Sequence, residues 1–328
     1  METITVIVPV MDEQETIAAL CEKVITAFHA GVQDTAELVE IIFIDDGSRD
    51  GTWGAISEAS ARHAIVQGIR FRRNFGKAAA LQEGINRARG EIVITMDGDL
   101  QDDPAEIPRF LEALRSGLDL VSGWKKTRHD PMGKTLPSKL FNFVTSHVSG
   151  VKIHDFNCGF KAYRREIFGS VGLYGELHRF VPALAHAMGY RVGEIEVLHH
   201  PRRFGKSKYG IGRLAKGFLD LLTVLTITRF NSRPGHLFGG LGIAVGAVGV
   251  LIDLYLLVLW ISGEAIGTRP LLSLGVLLTI LGLQFILFGM MAELLVSNRW
   301  RESTPNIVRE TTPVAPSPVR EVAPAATR

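Results

Sequence analysis

"VITMDGDLQDDP", residues 93–104, begins as an apolar, β-branched strand and ends in Asp97, Asp99, Asp102 and Asp103, four carboxylates within seven positions. Like charges this close repel, so the run needs a cation or different tasks for its members. The last two have a local task. Asp103-Pro104-Ala105-Glu106 reads as a helix start, with Asp as cap, proline at the first helical position and Glu in the first turn, and Asp102 is assigned to the same turn. Asp97 and Asp99 keep no such explanation. One residue apart, they share a face if the chain stays extended, and Gly98 between them lets the backbone approach a ligand. Two hard oxygen ligands in an open site suit Mg²⁺ or Mn²⁺ shared with a diphosphate. Alone, so short a motif is weak, because acidic triplets recur by chance.

Outward from that stretch, apolar strands alternate with helical patterns. "ITVIVP" (4–9), "VEIIFID" (39–45), "AIVQGIRF" (64–71), "EIVITM" (91–96) and "LDLVSG" (118–123) read as strands. Between them Ile17, Leu20, Cys21, Val24 and Phe28 recur at helical spacing, and "FGKAAALQEGINRA" and "PAEIPRFLEALRS" read as helices. Such alternation implies an α/β fold with a doubly wound, mostly parallel sheet, whose ligands bind at the carboxyl ends of strands. Acidic clusters fall at three such ends: "MDE" (11–13), "DDG" (45–47) and "DGD" (97–99). Capping accounts for some of these acids: Asp12 with Glu15 forms a capping box, and Ser48 or Asp50 caps a helix at Trp53. Glu13, Asp45, Asp46, Asp97 and Asp99 are left for a bound cation and an anionic ligand.

Of 328 residues, 36 are Lys or Arg and 34 Asp or Glu, so bulk charge implies no nucleic-acid partner. Two apolar blocks, 235–262 and 270–297, exceed the roughly 20 residues that cross a bilayer and are joined by "GEAIGTR". They are expected to form a transmembrane hairpin. Asp253 inside the first is costly unless paired, or placed near the outer end where it snorkels. Gly242 and Gly246 suit helix packing. Arg202, Arg203, Lys206, Lys208, Arg213 and Lys216 precede the first block, and Arg299 and Arg301 follow the second. The positive-inside rule therefore puts the N-terminal domain and the tail in the cytoplasm. "METITVIVPVMDE" is expected to be a strand, not a signal peptide, and Cys21 and Cys158 fit a reducing compartment without zinc-ligand spacing.

"VIVPVMDEQETI", "IIFIDDGSRDGT", "RNFGKAAALQEG" and "MDGDLQDDPAEIP", in this order, resemble the inverting family 2 glycosyltransferases with their A-type nucleotide-sugar-binding fold. "DFNCGFKAYRREI", "HRFVPALAHAMGYRVGEIEVLHHPRRFGKSKYG" and the two apolar blocks narrow the resemblance to the branch that acts on polyprenyl phosphate. That resemblance implies a nucleotide-sugar donor with Pro9 and Glu13 at base and ribose, Asp45 at the base and Asp46 near the diphosphate. It makes Asp97, Asp99 and Gln101 the site of a divalent cation, Mg²⁺ or Mn²⁺. It adds Lys77, Lys125, Arg128 and Lys139 as substrate contacts, with Arg202, Ser207 and Lys208 a clamp on the phosphates. Met11 departs from the pattern, since the family often has an aromatic there.

The expected organisation is a cytoplasmic transferase domain over 1–208, a juxtamembrane amphipathic helix over 209–232, spans over 235–262 and 270–297, and a disordered tail over 302–328. The implied activity moves one sugar from a nucleotide-sugar, uridine being the expected base, to undecaprenyl or dolichyl phosphate. The setting is the inner membrane, with the chain multi-pass and surrounded by membrane lipids. A separate flippase and a downstream glycosyltransferase are expected partners, and a homo-oligomer is left open. The alternatives are a processive polysaccharide synthase, though no Q-x-x-R-W motif is present, an acidic phosphoacceptor domain, and a non-catalytic membrane-tethered protein. The roles of Asp155, His178 and Arg179 stay open between packing and chemistry, and His199 and His200 are read as ending a strand.

Overall fold

The computed structural model describes residues 1–32, 35–126, 142, 144–147, 149–169, 171–173, 177–200, 234–267 and 269–302. Its sheet comprises β1 (Glu2–Val10), β2 (Ala36–Asp45), β3 (Val66–Arg70), β4 (Ile92–Thr95), β5 (Leu120–Trp124), β6 (Lys161–Arg164) and β7 (Val192–Glu196). Their spatial order is β3-β2-β1-β4-β6-β5-β7. β6 runs antiparallel to β4 and β5, whereas the pairs among β1–β4 and the β5–β7 pair are parallel. The five strands expected from the sequence are present. β6, short and carrying charges, was not anticipated, and β7 was read only as a strand ending near His199 and His200.

Period-two burial sorts the strand side chains onto two faces. Ile4, Val6, Val8 and Val10 of β1, with Ile41 and Phe43 of β2, join one apolar cluster. Ile7, Ile42 and Ile44 join the other. Helix α1 (Ile17–Gly31) covers the first face through Ile17, Leu20, Cys21, Val24 and Phe28, as its spacing requires. Helices α2 (Thr52–Arg62) and α4 (Ile107–Arg115) contribute Ile56, Phe110, Leu111 and Leu114 to the same layer. Helix α3 (Lys77–Arg87) covers the second face with Ala80, Leu81 and Ile85. α3 lies close to β1 because residue 84 is glycine: a Cβ there would sit 2.6 Å from Ile7 Cγ2. The short helix α5 (Val181–Ala187) follows a 3₁₀ turn at Leu177–Arg179.

Helices α6 (Pro234–Ile261) and α7 (Pro270–Glu302) pack on one another as a hairpin. At 1.5 Å per residue they extend about 42 and about 50 Å. Segments Gly235–Ile261 and Pro270–Leu295 both have a mean hydropathy of 2.4, and only 17% and 11% of their most apolar windows are buried. A soluble core helix would hide that surface, so its exposure favours a lipid environment. Glycines close the seam: a Cβ on Gly242 would lie 2.6 Å from Gly282 O, and one on Gly282 would lie 2.5 Å from Gly246 Cα. Asp253 does not snorkel. Thr279 Oγ1 donates to its Oδ2 at 3.1 Å inside the seam. Glu293 Oε2 in turn accepts the Gly235 N–H at the start of α6, 2.9 Å away. The segment expected as juxtamembrane helix, 209–232, lies outside the described residues, and so does the expected tail, 302–328, beyond Glu302, which ends α7.

Candidate active site

The carboxyl ends of β1, β2 and β4 meet on one side of the sheet, and there the acidic loops interlock. Asp12 N–H donates to Ser48 Oγ, Glu13 N–H to Thr52 Oγ1, and Arg49 N–H to Asp12 Oδ1, each at 2.9 Å. Gln14 Oε1 accepts from Gly51 N–H at 2.8 Å. These bonds replace one expected cap and choose between the two candidates for another. Asp12 is committed to the neighbouring loop at φ 53°, so it forms no capping box with Glu15, and α1 starts after Thr16 with no side-chain cap. At α2, Asp50 accepts the Thr52 N–H while Ser48 serves Asp12. Met11, Asp12, Ser48, Arg49, Arg72 and Arg73 border a cleft of about 610 Å³ at this end of the sheet. Gly47 holds its floor: its φ is +75°, and a Cβ would lie 2.5 Å from the Arg73 carbonyl carbon.

Asp45 and Asp46, expected to be without structural duty, both have one. Asp45 is fully buried, takes the Ser48 N–H at 2.8 Å and pairs with Arg70 at 3.3 Å. Asp46 takes the Phe75 and Gly76 N–H groups at 2.7 and 3.0 Å and so sets the loop leading into α3. Burial raises its carboxyl above the usual range, and those two hydrogen bonds only partly offset the shift. Pro9, in β1, pairs in register with Ile44 just before them.

Asp97 lies past the end of β4, where its carboxylate meets the Lys77 ammonium at the start of α3. Burial opposes its ionisation. The charge of Lys77, then those of Lys125 and Lys161, outweighs burial and holds the carboxyl well below the usual range. Asp97 and Asp99 do not share a face of an extended strand, because the chain turns at 98–99 and Leu100 follows in the left-handed region, φ 61°. For a bulky residue that backbone costs about 1–3 kcal/mol. Gly98 serves packing rather than ligand approach, since a Cβ there would strike Val10 Cγ1 at 2.5 Å. Asp99 is 8% exposed and accepts the Gln101 N–H at 3.2 Å. The Gln101 amide nitrogen donates to the His200 carbonyl at 3.3 Å.

Asp102 departs most from its expected role. Asp103 does cap, accepting the Ala105 N–H at 3.1 Å, and it also pairs with His200. Asp102, instead of sharing that turn, is 1% exposed and binds Lys125 at 2.7 Å beneath the acidic turn. Burial disfavours the Lys125 charge, but Asp102 overrides it and keeps the ammonium firmly protonated. Lys161 of β6, 3% exposed, spans the floor and donates to the Phe156 and Cys158 carbonyls. From the sequence Asp102 was assigned only to the capping turn, and Lys161 was not singled out. A lysine inside the apolar run of "GFKAY" was the available signal. His199 and His200 lie past β7 and bind the 101–103 turn rather than end the strand.

Among the described residues no group of three or more His, Cys, Asp or Glu side chains is arranged to hold a metal. Asp97 and Asp99 nonetheless suit Mg²⁺ or Mn²⁺: both offer hard oxygens, Asp97 stays ionised, and such ions fill remaining positions with water and substrate phosphates. Arg128, Lys139, Arg202, Ser207 and Lys208 lie outside the described residues.

The sequence profile of glycosyl transferase family 2 matches residues 5–172. The chain belongs to that family. This family 2 chain is 41% identical, over 94% of its length and 92% of the relative's, to dodecaprenyl-phosphate galacturonate synthase of Rhizobium johnstonii. It is 34% identical, over 89% of its length and 88% of the relative's, to undecaprenyl-phosphate 4-deoxy-4-formamido-L-arabinose transferase of Aeromonas hydrophila. Glucosyl-3-phosphoglycerate synthase from Mycobacterium tuberculosis, solved with Mg²⁺ and uridine diphosphate, superposes with a TM-score of 0.52 at 17% identity. That match covers 69% of this chain and 78% of the other, and it shows a shared A-type glycosyltransferase fold.

Proposed function

We propose that the chain transfers one sugar from a nucleotide-sugar, with uridine as the base, to a polyprenyl phosphate, inverting the anomeric carbon. The carrying observation is that the similarity to the galacturonate synthase runs over 94% of the chain, so catalytic domain and hairpin match together. In this reading Pro9, Glu13 and Asp45 border the base and ribose, Asp46 sets the loop carrying Lys77, and the 610 Å³ cleft receives the nucleoside. Asp97 and Asp99, with Gln101 beside them, would hold a divalent cation, which when bound would supply neutralisation of charge on the departing diphosphate. Lys125 keeps the acidic turn in place through Asp102. Lys139, Arg128, Arg202, Ser207 and Lys208 are assigned to the acceptor and donor phosphates.

The acceptor phosphate is already anionic near neutral pH. Its oxygen forms the new bond to the anomeric carbon while the bond to the diphosphate breaks on the opposite face, so no strong base is required. Positioning and electrostatics then carry catalysis. The two spans seat the domain at the cytoplasmic face of the inner membrane, where the lipid acceptor is held. The test uses purified protein, polyprenyl phosphate, Mn²⁺ or Mg²⁺ and a panel of radiolabelled nucleotide-sugars. Label extracted into the organic phase, dependent on metal, is expected from at least one donor. Folded protein that labels no lipid from any donor would sink the assignment.

A further inference from the structure

The charges of Lys77, Lys125 and Lys161 all act on Asp97, and the three lysines are held differently. Lys125 is bound to Asp102, and Lys161 is buried against the Phe156 and Cys158 carbonyls. Lys77 meets the Asp97 carboxylate directly, and each side chain of that pair is 32% exposed. Its backbone is fixed. Asp46 accepts the Phe75 and Gly76 N–H groups, Gly76 turns the chain at φ +93°, and Lys77 then opens α3. The ammonium therefore moves as its flexible four-carbon stem turns.

Asp97 offers an arriving cation little choice of approach. A Cβ at residue 159 would lie 2.6 and 2.7 Å from its two carboxylate oxygens, so the Gly159 side is closed. A small recess lined by Lys77, Gly159, Lys161, His178 and Arg179 holds about 10 Å³, the room of one water. An ion entering from solvent thus meets the carboxylate that Lys77 already holds. A dication about 2 Å from that carboxylate and an ammonium about 3 Å from it repel strongly where water is scarce. The recess is too small for the ammonium to retreat inward. We propose that Lys77 is an exchangeable counter-ion: it holds Asp97 until a divalent cation takes that carboxylate with Asp99, and it then turns to the donor diphosphate. The proposal rests on the transferase reading for the cation position and the diphosphate. An ammonium displaced without a new anion is left partly buried and unaccompanied, which is costly. Binding of the cation alone is therefore opposed. Diphosphate oxygens relieve the opposition by accepting charge-assisted bonds from Lys77. Lys77 so couples the two ligands, and the coupling is reciprocal.

Two titrations test this, and neither needs transfer. The full chain in detergent micelles is titrated with Mn²⁺ alone, read by the electron paramagnetic resonance of the free ion. It is then titrated at saturating Mn²⁺ with uridine diphosphate or, where that does not bind, guanosine diphosphate, read by calorimetry. Lys77→Met is expected to tighten Mn²⁺ about 10- to 100-fold and to weaken the nucleotide by a similar factor. Damage to the fold would weaken both, so opposite signs identify an exchangeable charge. Asp97→Asn, alone or combined with Lys77→Met, is expected to abolish the Mn²⁺ binding. Lys77→Gln decides if Lys77→Met does not fold. Mn²⁺ affinity that is unchanged or weaker in the folded Lys77 variant, or too weak to read in both proteins, overturns the proposal. So does tightening that survives in the double variant, and so does tighter Mn²⁺ with nucleotide binding unchanged. Opposite shifts in a protein that labels no lipid would remove the transferase reading and leave the exchange standing. Lipid labelling without those shifts would do the reverse.

Discussion

Two buried carboxylate regions lie on the same sheet and behave differently. Towards the amino ends of its strands, Glu40 of β2 is fully buried and accepts four hydrogen bonds. They come from Thr5 Oγ1 at 2.7 Å, Gln67 Nε2 at 3.1 Å, and Arg89 N–H and Nε at 2.6 and 2.9 Å. At the carboxyl ends, Asp97 and Asp102 are held by the lysines Lys77 and Lys125. Asp102 is as buried as Glu40, so burial does not tell architecture from chemistry. The partners do. Backbone, amide and guanidinium donors in fixed geometry saturate Glu40 and tie β2 to β1, β3 and the connection before β4. An ammonium on a flexible stem is a point charge that another cation can replace.

The largest expected effect tests the saturated end. Glu40→Ala leaves Arg89 and Thr5 without their acceptor and is expected to cost about 3–5 kcal/mol, measured by denaturant unfolding, while transfer per folded molecule stays unchanged. A stable variant with lost transfer would erase the contrast. Asp99→Asn should do the opposite: transfer falls about 100-fold or more with the unfolding midpoint unmoved, compared in the lipid-labelling assay and a thermal melt. Smaller still is Asp253→Ala, which removes the Thr279 bond from the hairpin seam and should cost about 1 kcal/mol in a detergent-driven unfolding titration. It marks a third kind of buried carboxylate, one satisfied by helix packing.

The smallest effect concerns Cys21, buried in the layer beneath α1. Burial, then the neighbouring Glu22 charge, pushes its thiol up from 9.0 to about 11. A folded pKa above the unfolded one adds stability that is complete below pH 9.0 and fades as pH climbs towards 11. Wild type should therefore lose stability across that window, and Cys21→Ala should lose measurably less, as read by denaturant midpoints at successive pH values. An identical slope in both proteins would show that the alkaline loss comes from other groups.

Local pattern made much of this molecule legible. Five strands, the face of α1, the hairpin and the acidic strand ends follow from side-chain periodicity and run length, which are properties of neighbouring residues. Asp103 was readable as a cap because proline and Glu follow it. Asp102 was misread for the same reason: the signature that explains Asp103 also covers its neighbour, and Lys125, its partner, lies 23 positions away. β6 escaped, and β7 was read only at its end, because short strands carrying Lys161, Glu194 or Gly193 lack the apolar run that marks β1 and β4.

The sequence by itself determined where five of the strands, the acidic turns and the membrane-spanning lengths fall, since hydrophobic period and chain reach depend on adjacent residues alone. Tertiary structure decided what each charge is for. Asp12 serves a neighbouring loop, Glu40 clamps three strands, and Lys77, Lys161, His178 and Arg179 meet around one recess beside Asp97. A charge takes its role from the field of its neighbours in space, and that field exists only once β4 and β6 have brought distant segments together.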